Sequence, residues 1–263
     1  MTRRLLELEA GESSLNQKSK KTVIIFSGRK STGKDTSSTL VWSMLSCKDC
    51  NGTGYDAGHI PDFGGDATKM CETCVGKSIG FVKRIENMSF ADPLKYLCQA
   101  AFGLTHKQCY GESGERETSS DITWDDISPA YHDLKKPDSS EYLTAREVLQ
   151  FVGTNVMRRF YPNIWAKAAT ISALRSNAEI VIFTDARFPN EIEEFQKLAD
   201  AGEIKLVVIR LHRDTGLQDA HESETALDSW DEEMKFKYNI YNEGSMSQLY
   251  RMLHDVMRLE GVV

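Results

Sequence analysis

Two groups of residues in this chain have types and spacing that suit particular chemistry. The first is Gly28-Arg29-Lys30-Ser31-Thr32-Gly33-Lys34, followed by Asp35 and Thr36. Glycines at both ends let successive backbone N–H groups turn toward one anion, and the lysine after the second glycine adds an ammonium. The run fits the G-x-x-x-x-G-K pattern of a triphosphate cradle, in which Lys34 bridges the β- and γ-phosphates of ATP. The usual pattern places Ser or Thr directly after the lysine to hold Mg²⁺, but here Asp35 intervenes. Two arrangements stay open for the metal, with Asp35 holding it directly or through water. Thr36 then caps the helix or touches the α-phosphate.

The second group is Cys47-x-x-Cys50 and Cys71-x-x-Cys74, two pairs separated by twenty residues. In a reducing compartment this spacing favours Zn²⁺ over disulfides, and four thiolates make a closed tetrahedral site with no open position. Such a zinc is structural. Gly52, Gly54 and Gly76 supply the tight turns that present two sulfurs to one ion. Cys98 and Cys109 fall outside the pattern and read as packing residues.

The elements that must position these groups follow from hydrophobic periodicity. Thr22–Ser27 is a continuous β-branched and aromatic run, as expected of a strand buried on both faces. The phosphate-cradle motif comes next, and Thr36–Leu45 reads as a helix. From Cys47 to Gly80 the chain is rich in Gly, Asp, Thr and Cys without hydrophobic period, so we assign residues 46–80 as a metal-stapled insertion. Regular structure resumes with a strand in Phe81–Asp92 and a helix from Asp92 to Leu104. Tyr110–Tyr142 is polar, suggesting surface structure or a flap. Helices are expected over Thr144–Phe160, Pro162–Ser176, Asn190–Ala201 and Met246–Arg258. Strands are expected at Glu179–Asp185, Lys205–Leu211 and Asn239–Asn242. Strands separated by helices of this length predict an α/β fold of the P-loop NTPase type: a parallel sheet with helices on both faces. The domain is expected to span residues 22–263, preceded by a polar extension over 1–21.

At 263 residues and 40% hydrophobic content the chain can bury a core of this kind. Its net charge of −7 argues against broad nucleic-acid binding, which needs clustered Lys and Arg. No apolar run is long enough to span a membrane, and no signal-peptide core is present, so a cytoplasmic location is expected.

Several stretches, taken in order, resemble the bacteriophage deoxynucleoside monophosphate kinases. They are G-R-K-S-T-G-K-D-T, F-A-D-P-L-K (Phe90–Lys95), R-E-V-L-Q-F-V-G-T (Arg146–Thr154), P-N-I-W (Pro162–Trp165), T-D-A-R-F-P-N-E (Thr184–Glu191) and H-E-S-E (His221–Glu224). The resemblance runs from Thr22 to the last helix, excluding the cysteine-rich insertion. It implies an adenylate-kinase-like fold, ATP and Mg²⁺ at the phosphate cradle, a dNMP acceptor beneath a closing lid, and a homodimer. Residue by residue, it implies an acceptor site of Arg146, Gly153, Thr154, Trp165, Asp185, Arg187 and Glu191.

The residue types suit those roles. Arg146 and Arg187 can fork onto a phosphate, Trp165 offers a flat face for a base, and Gly153 permits close backbone approach. Asp185 and Glu191 can order metal-bound water or hydrogen-bond sugar and base edges. Arg210 and Arg213, in a segment resembling a lid, can reach the transferring phosphates. Plainer roles compete: Trp165 as core, Arg187 and Glu191 as a helix ion pair, Arg210 and Arg213 as solvated charges. Two other functions also remain open. One is phosphoryl transfer to a nucleoside or another small phosphate; the other is an adaptor that uses the zinc module to bind nucleic acid or protein, with ATP as switch.

Overall fold

The computed structural model describes residues 20–45, 85–134, 141–216, 226–232 and 236–263. The four paired cysteines, most of the N-terminal extension and His221, Glu222 and Glu224 lie outside the described residues.

The chain builds one five-stranded sheet from β1 (Lys21–Ser27), β2 (Ile85–Met88), β5 (Ile180–Ala186), β6 (Ile204–His212) and β7 (Tyr238–Tyr241), in the order β2-β5-β1-β6-β7. Every pairing is parallel. This is the α/β architecture expected from strands alternating with helices. β1 sits at the centre, flanked by β5 and β6, so the order of connection reverses around it. Such a reversal opens a crevice beyond the carboxyl ends of the strands, where ligands bind in open α/β sheets.

Alternation along β1 explains how the sheet is covered. Ile24 and Phe26 face one layer, packing with Val41 and Leu45 of α1 (Lys34–Leu45) and with Leu249 and Leu253 of the last helix (Met246–Leu259). Val23 and Ile25 face the other layer, against Ala169 and Ala173 of the helix Ile164–Arg175 and Ile192 and Phe195 of the helix Pro189–Asp200. The aromatic cluster Phe90, Phe183 and Phe195 anchors that second layer, with ring centroids 4.7 to 5.9 Å apart. Full burial of side chains such as Phe183 and Phe195 contributes about 1.5–3 kcal/mol each.

A smaller third core lies between β2 and β5 in sequence. It joins α2 (Asp92–Phe102), the antiparallel pair β3 (Ser119–Thr123) and β4 (Tyr142–Thr144), and the short helix Ala145–Gln150. The polar stretch read as surface or flap therefore contributes a strand to this unit. Cys98 and Cys109 are buried within it, the packing role expected of them.

Two departures from the expected elements matter for the site. The helix expected over Thr144–Phe160 is α-helical to Gln150, wound as a π-helix over Phe151–Arg158, and α-helical again at Arg159 and Phe160. The polar stretch before β7 contains a short helix, Asp228–Glu232. Among the described residues, no helix is long and apolar enough to cross a membrane.

Candidate active site

The loop after β1 is shaped by backbone conformations that few side chains allow. Gly28 has φ +149° and Gly33 φ +100°. A Cβ on Gly28 would lie 2.6 Å from the Leu211 carbonyl oxygen, and one on Gly33 would lie 2.6 Å from Asn242 Nδ2. Ser31, with φ +64°, is the single non-glycine residue at positive φ among the described residues. Such strain persists only where the surroundings fix it, typically at ligand sites.

Those surroundings come from distant sequence. Asn242, just after β7, donates from Nδ2 to the Thr32 carbonyl at 2.9 Å. Thr32 donates its hydroxyl to the Arg29 carbonyl at 2.9 Å. Asp228 ties both flanks: one carboxylate oxygen accepts from Arg29 at 2.6 Å, the other from Arg210 at 3.0 Å. Arg210 also donates to Ser27 Oγ at 3.0 Å. Lys34, the first residue of α1, donates to the Gly28 and Arg29 carbonyls at 2.6 and 2.8 Å, so its ammonium lies across the mouth of the loop. Asp35 and Lys30 are exposed and Thr36 is half-buried. A helix N-terminus, a ring of backbone groups and a lysine together make an anion site.

Beside the loop, a cavity of about 460 Å³ is lined by Arg29, Thr32, Arg210, His212, Arg213 and Tyr241, among others. The His212 and Tyr241 rings stack 4.8 Å apart at 19°, and His212 Nε2 donates to Asn239 Oδ1 at 2.8 Å. Arg210 is buried at 4% exposure and sits on β6, tied to Ser27 and Asp228. It is therefore a fixed cation at the base of this cavity, not a group carried on a lid. Arg213 lies one residue beyond the strand and lines the same cavity.

A second cavity, of about 290 Å³, opens beside the carboxyl end of β5. It brings together Gly153, Thr154, Trp165, Asp185, Arg187 and Glu191, which are spread over 39 residues of sequence. Phe90, Leu94, Leu149 and Phe188 add apolar wall. Trp165 is buried and donates Nε1–H to the Gly153 carbonyl at 3.0 Å, so it serves packing and lines the cavity at once.

Arg146 pairs with Glu117 on the third core and is not among the residues that line this cavity. The second cation of the cavity is Arg158, which sits over the Phe188 ring at 4.3 Å and 3.6 Å from Glu191. Sequence reasoning missed Asn242 and Asp228, which only a spatial pairing could have revealed. Lys95 closes F-A-D-P-L-K, and burial pushes its ammonium below the ordinary value, opposed by Asp92 and Asp185 nearby.

The two carboxylates of the second cavity are heavily engaged. Asp185 accepts from the Ser89 hydroxyl, from Phe90 N–H at 3.0 Å and from Ala91 N–H at 3.3 Å, tying β5 to the turn that opens α2. Burial raises its carboxyl above the ordinary value, against the pull of those three donors. Glu191 accepts from the N–H groups of Arg187 and Phe188 at 2.7 and 3.1 Å, capping its helix, and it is 4% exposed. Burial pushes Glu191 up to about 7, with Asp185 adding to the rise and the two N–H donors and Arg158 opposing it.

Among the described residues, no three His, Cys, Asp or Glu side chains gather as a metal-binding group. The phosphate loop instead offers the hard oxygens of Asp35 and Thr36, beside where substrate phosphates would complete a shell.

No protein-family model matches this chain. It is similar to a protein of Acanthamoeba polyphaga mimivirus named "Putative deoxynucleotide monophosphate kinase", with 27% identity over 167 residues, covering 57% of this chain and 71% of that protein.

Proposed function

We propose that this protein is an ATP-dependent deoxynucleoside monophosphate kinase, moving the γ-phosphoryl group of ATP to a phosphate oxygen of a dNMP to give a dNDP. One observation carries the reading. A phosphate loop and a separate cavity bearing Asp185, Arg187 and Trp165 open at the carboxyl ends of two adjacent strands, β1 and β5. The named mimivirus relative and the order of matching motifs point the same way.

In this reading the loop 28–36 holds the donor triphosphate through backbone N–H groups and Lys34, and the cavity beside His212 and Tyr241 takes the donor base. Arg210 and Arg213 face the phosphates from the β6 side. Asp35 and Thr36 would hold Mg²⁺ together with phosphate oxygens. Bound there, the metal neutralises charge on the transferring group. Arg187 grips the acceptor phosphate, and the apolar walls with Trp165 hold its base. Phosphoryl transfer needs alignment and charge neutralisation more than a covalent catalyst, and these groups supply both.

The four cysteines belong to the same proposal as a structural Zn²⁺ site. One fact supports a role away from catalysis. Ile85, at the start of β2, pairs level with Ile180, which pairs with Thr22, so it lies at the end of the strands opposite the phosphate loop.

A coupled ADP-release assay across dAMP, dGMP, dCMP and dTMP, beside the matching nucleosides, tests the function. Turnover with at least one dNMP, lost in Lys34→Ala with the fold intact, is the expected result. No turnover with any dNMP eliminates the reading. Turnover with nucleosides alone assigns the other acceptor class.

A further inference from the structure

We propose that Arg158 binds the phosphate of the acceptor nucleotide, a role that rests on the kinase reading above. Among the residues lining the second cavity, the cations are Arg158 and Arg187, and they face the carboxylates Asp185 and Glu191. A phosphomonoester dianion entering beside these carboxylates is held by the guanidinium groups.

Arg158 closes the π-wound segment Phe151–Arg158 and lies on the same cavity wall as Gly153 and Thr154. Thr154, four residues earlier, is its neighbour on that face of the helix.

Arg158 is also held ready to bind. Its guanidinium lies on the Phe188 face at 4.3 Å, and its side chain is 28% exposed. The contact to Glu191 Oε1 is 3.6 Å, longer than a hydrogen bond, while Glu191 Oε2 is the atom engaged by the two backbone donors. The Glu191 contact therefore does not saturate the planar fork of Arg158, which suits two phosphate oxygens. A partly dry wall strengthens that attraction relative to water.

The test titrates wild type, Arg158→Met and Arg158→Lys with a dNMP by calorimetry, alongside inhibition by the matching deoxynucleoside and the KM for ATP. Loss of a charge-assisted contact predicts about 10- to 100-fold weaker dNMP binding in Arg158→Met. Partial recovery is expected in Arg158→Lys, with the deoxynucleoside and ATP values within about two-fold of wild type. Unchanged dNMP affinity, with wild type still turning over dNMPs, overturns this inference alone. Equal losses for nucleotide and nucleoside also overturn it, because they mark a structural role. Wild type binding no dNMP overturns both this inference and the kinase reading. Should Arg158→Met fail to fold, Arg158→Lys and Arg158→Gln decide by the same criteria.

Discussion

Asn242 donates from its side-chain amide to the carbonyl of Thr32 at 2.9 Å, joining two residues 210 positions apart. Both groups are buried, so the bond fixes one face of the phosphate loop where water cannot compete. Its own backbone N–H donates to the His212 carbonyl at 2.7 Å, which anchors the amide to β6. Asn242→Ala is expected to cost about 1–2 kcal/mol and to raise the KM for ATP several-fold, with a smaller effect on the acceptor KM. Asn242→Asp turns an acceptor toward the Thr32 carbonyl and should weaken ATP binding further. Equal ATP kinetics in all three proteins would show that the loop holds its shape without this bond.

Asp185 supports the acceptor cavity by accepting from Ser89, Phe90 and Ala91. An asparagine presents a donor where one of those N–H or O–H groups points. Asp185→Asn should therefore destabilise by about 1–3 kcal/mol and lower Tm by roughly 2–10 °C. It should also raise the acceptor KM more than the ATP KM, because the turn it ties forms the cavity wall. Thermal unfolding with steady-state kinetics of both substrates measures this.

Glu191 predicts a pH dependence of stability. The folded state keeps its proton up to about pH 7, whereas the ordinary value is 4.5. Stability from this group is therefore complete below about pH 4.5 and is lost as pH rises through about 7. Compared with Glu191→Gln, the wild type should lose on the order of 3 kcal/mol across that window. Urea unfolding of both proteins from pH 4.5 to 7.5 provides the difference. A flat difference would show that Glu191 stays ionised when folded.

Zinc should be separable from catalysis. The purified protein is expected to hold one Zn²⁺, lost in Cys47→Ser and Cys71→Ser. Chelation should lower Tm while the ATP KM stays within about two-fold, because Ile85, at the start of β2, lies at the end of the strands away from the loop. A chelated protein with unchanged stability and activity would remove the structural role.

The arginines show how far a family resemblance reaches. The resemblance implied Arg146 for the acceptor site together with Gly153 and Arg187. The backbone changes winding after Gln150, and Arg158 takes the cavity wall while Arg146 pairs with Glu117. In that segment Gly153 sits against Leu94 and its carbonyl accepts from Trp165, and neither contact leaves a periodic trace.

What the amino-acid order determined by itself is local. The buried run before Gly28, the glycines and Lys34 specify strand, turn and helix, because their conformational demands are satisfied within a dozen residues. The alternation of strands and helices specified a parallel sheet because a helical crossover returns the chain to the same end of the sheet. Only the tertiary structure decided which distant side chains complete the sites. Asn242 locks Thr32, Asp228 joins Arg29 to Arg210, and Glu191 faces Arg158. These contacts come from strand order and from one irregular helix, and both are settled by packing free energy summed over the whole fold.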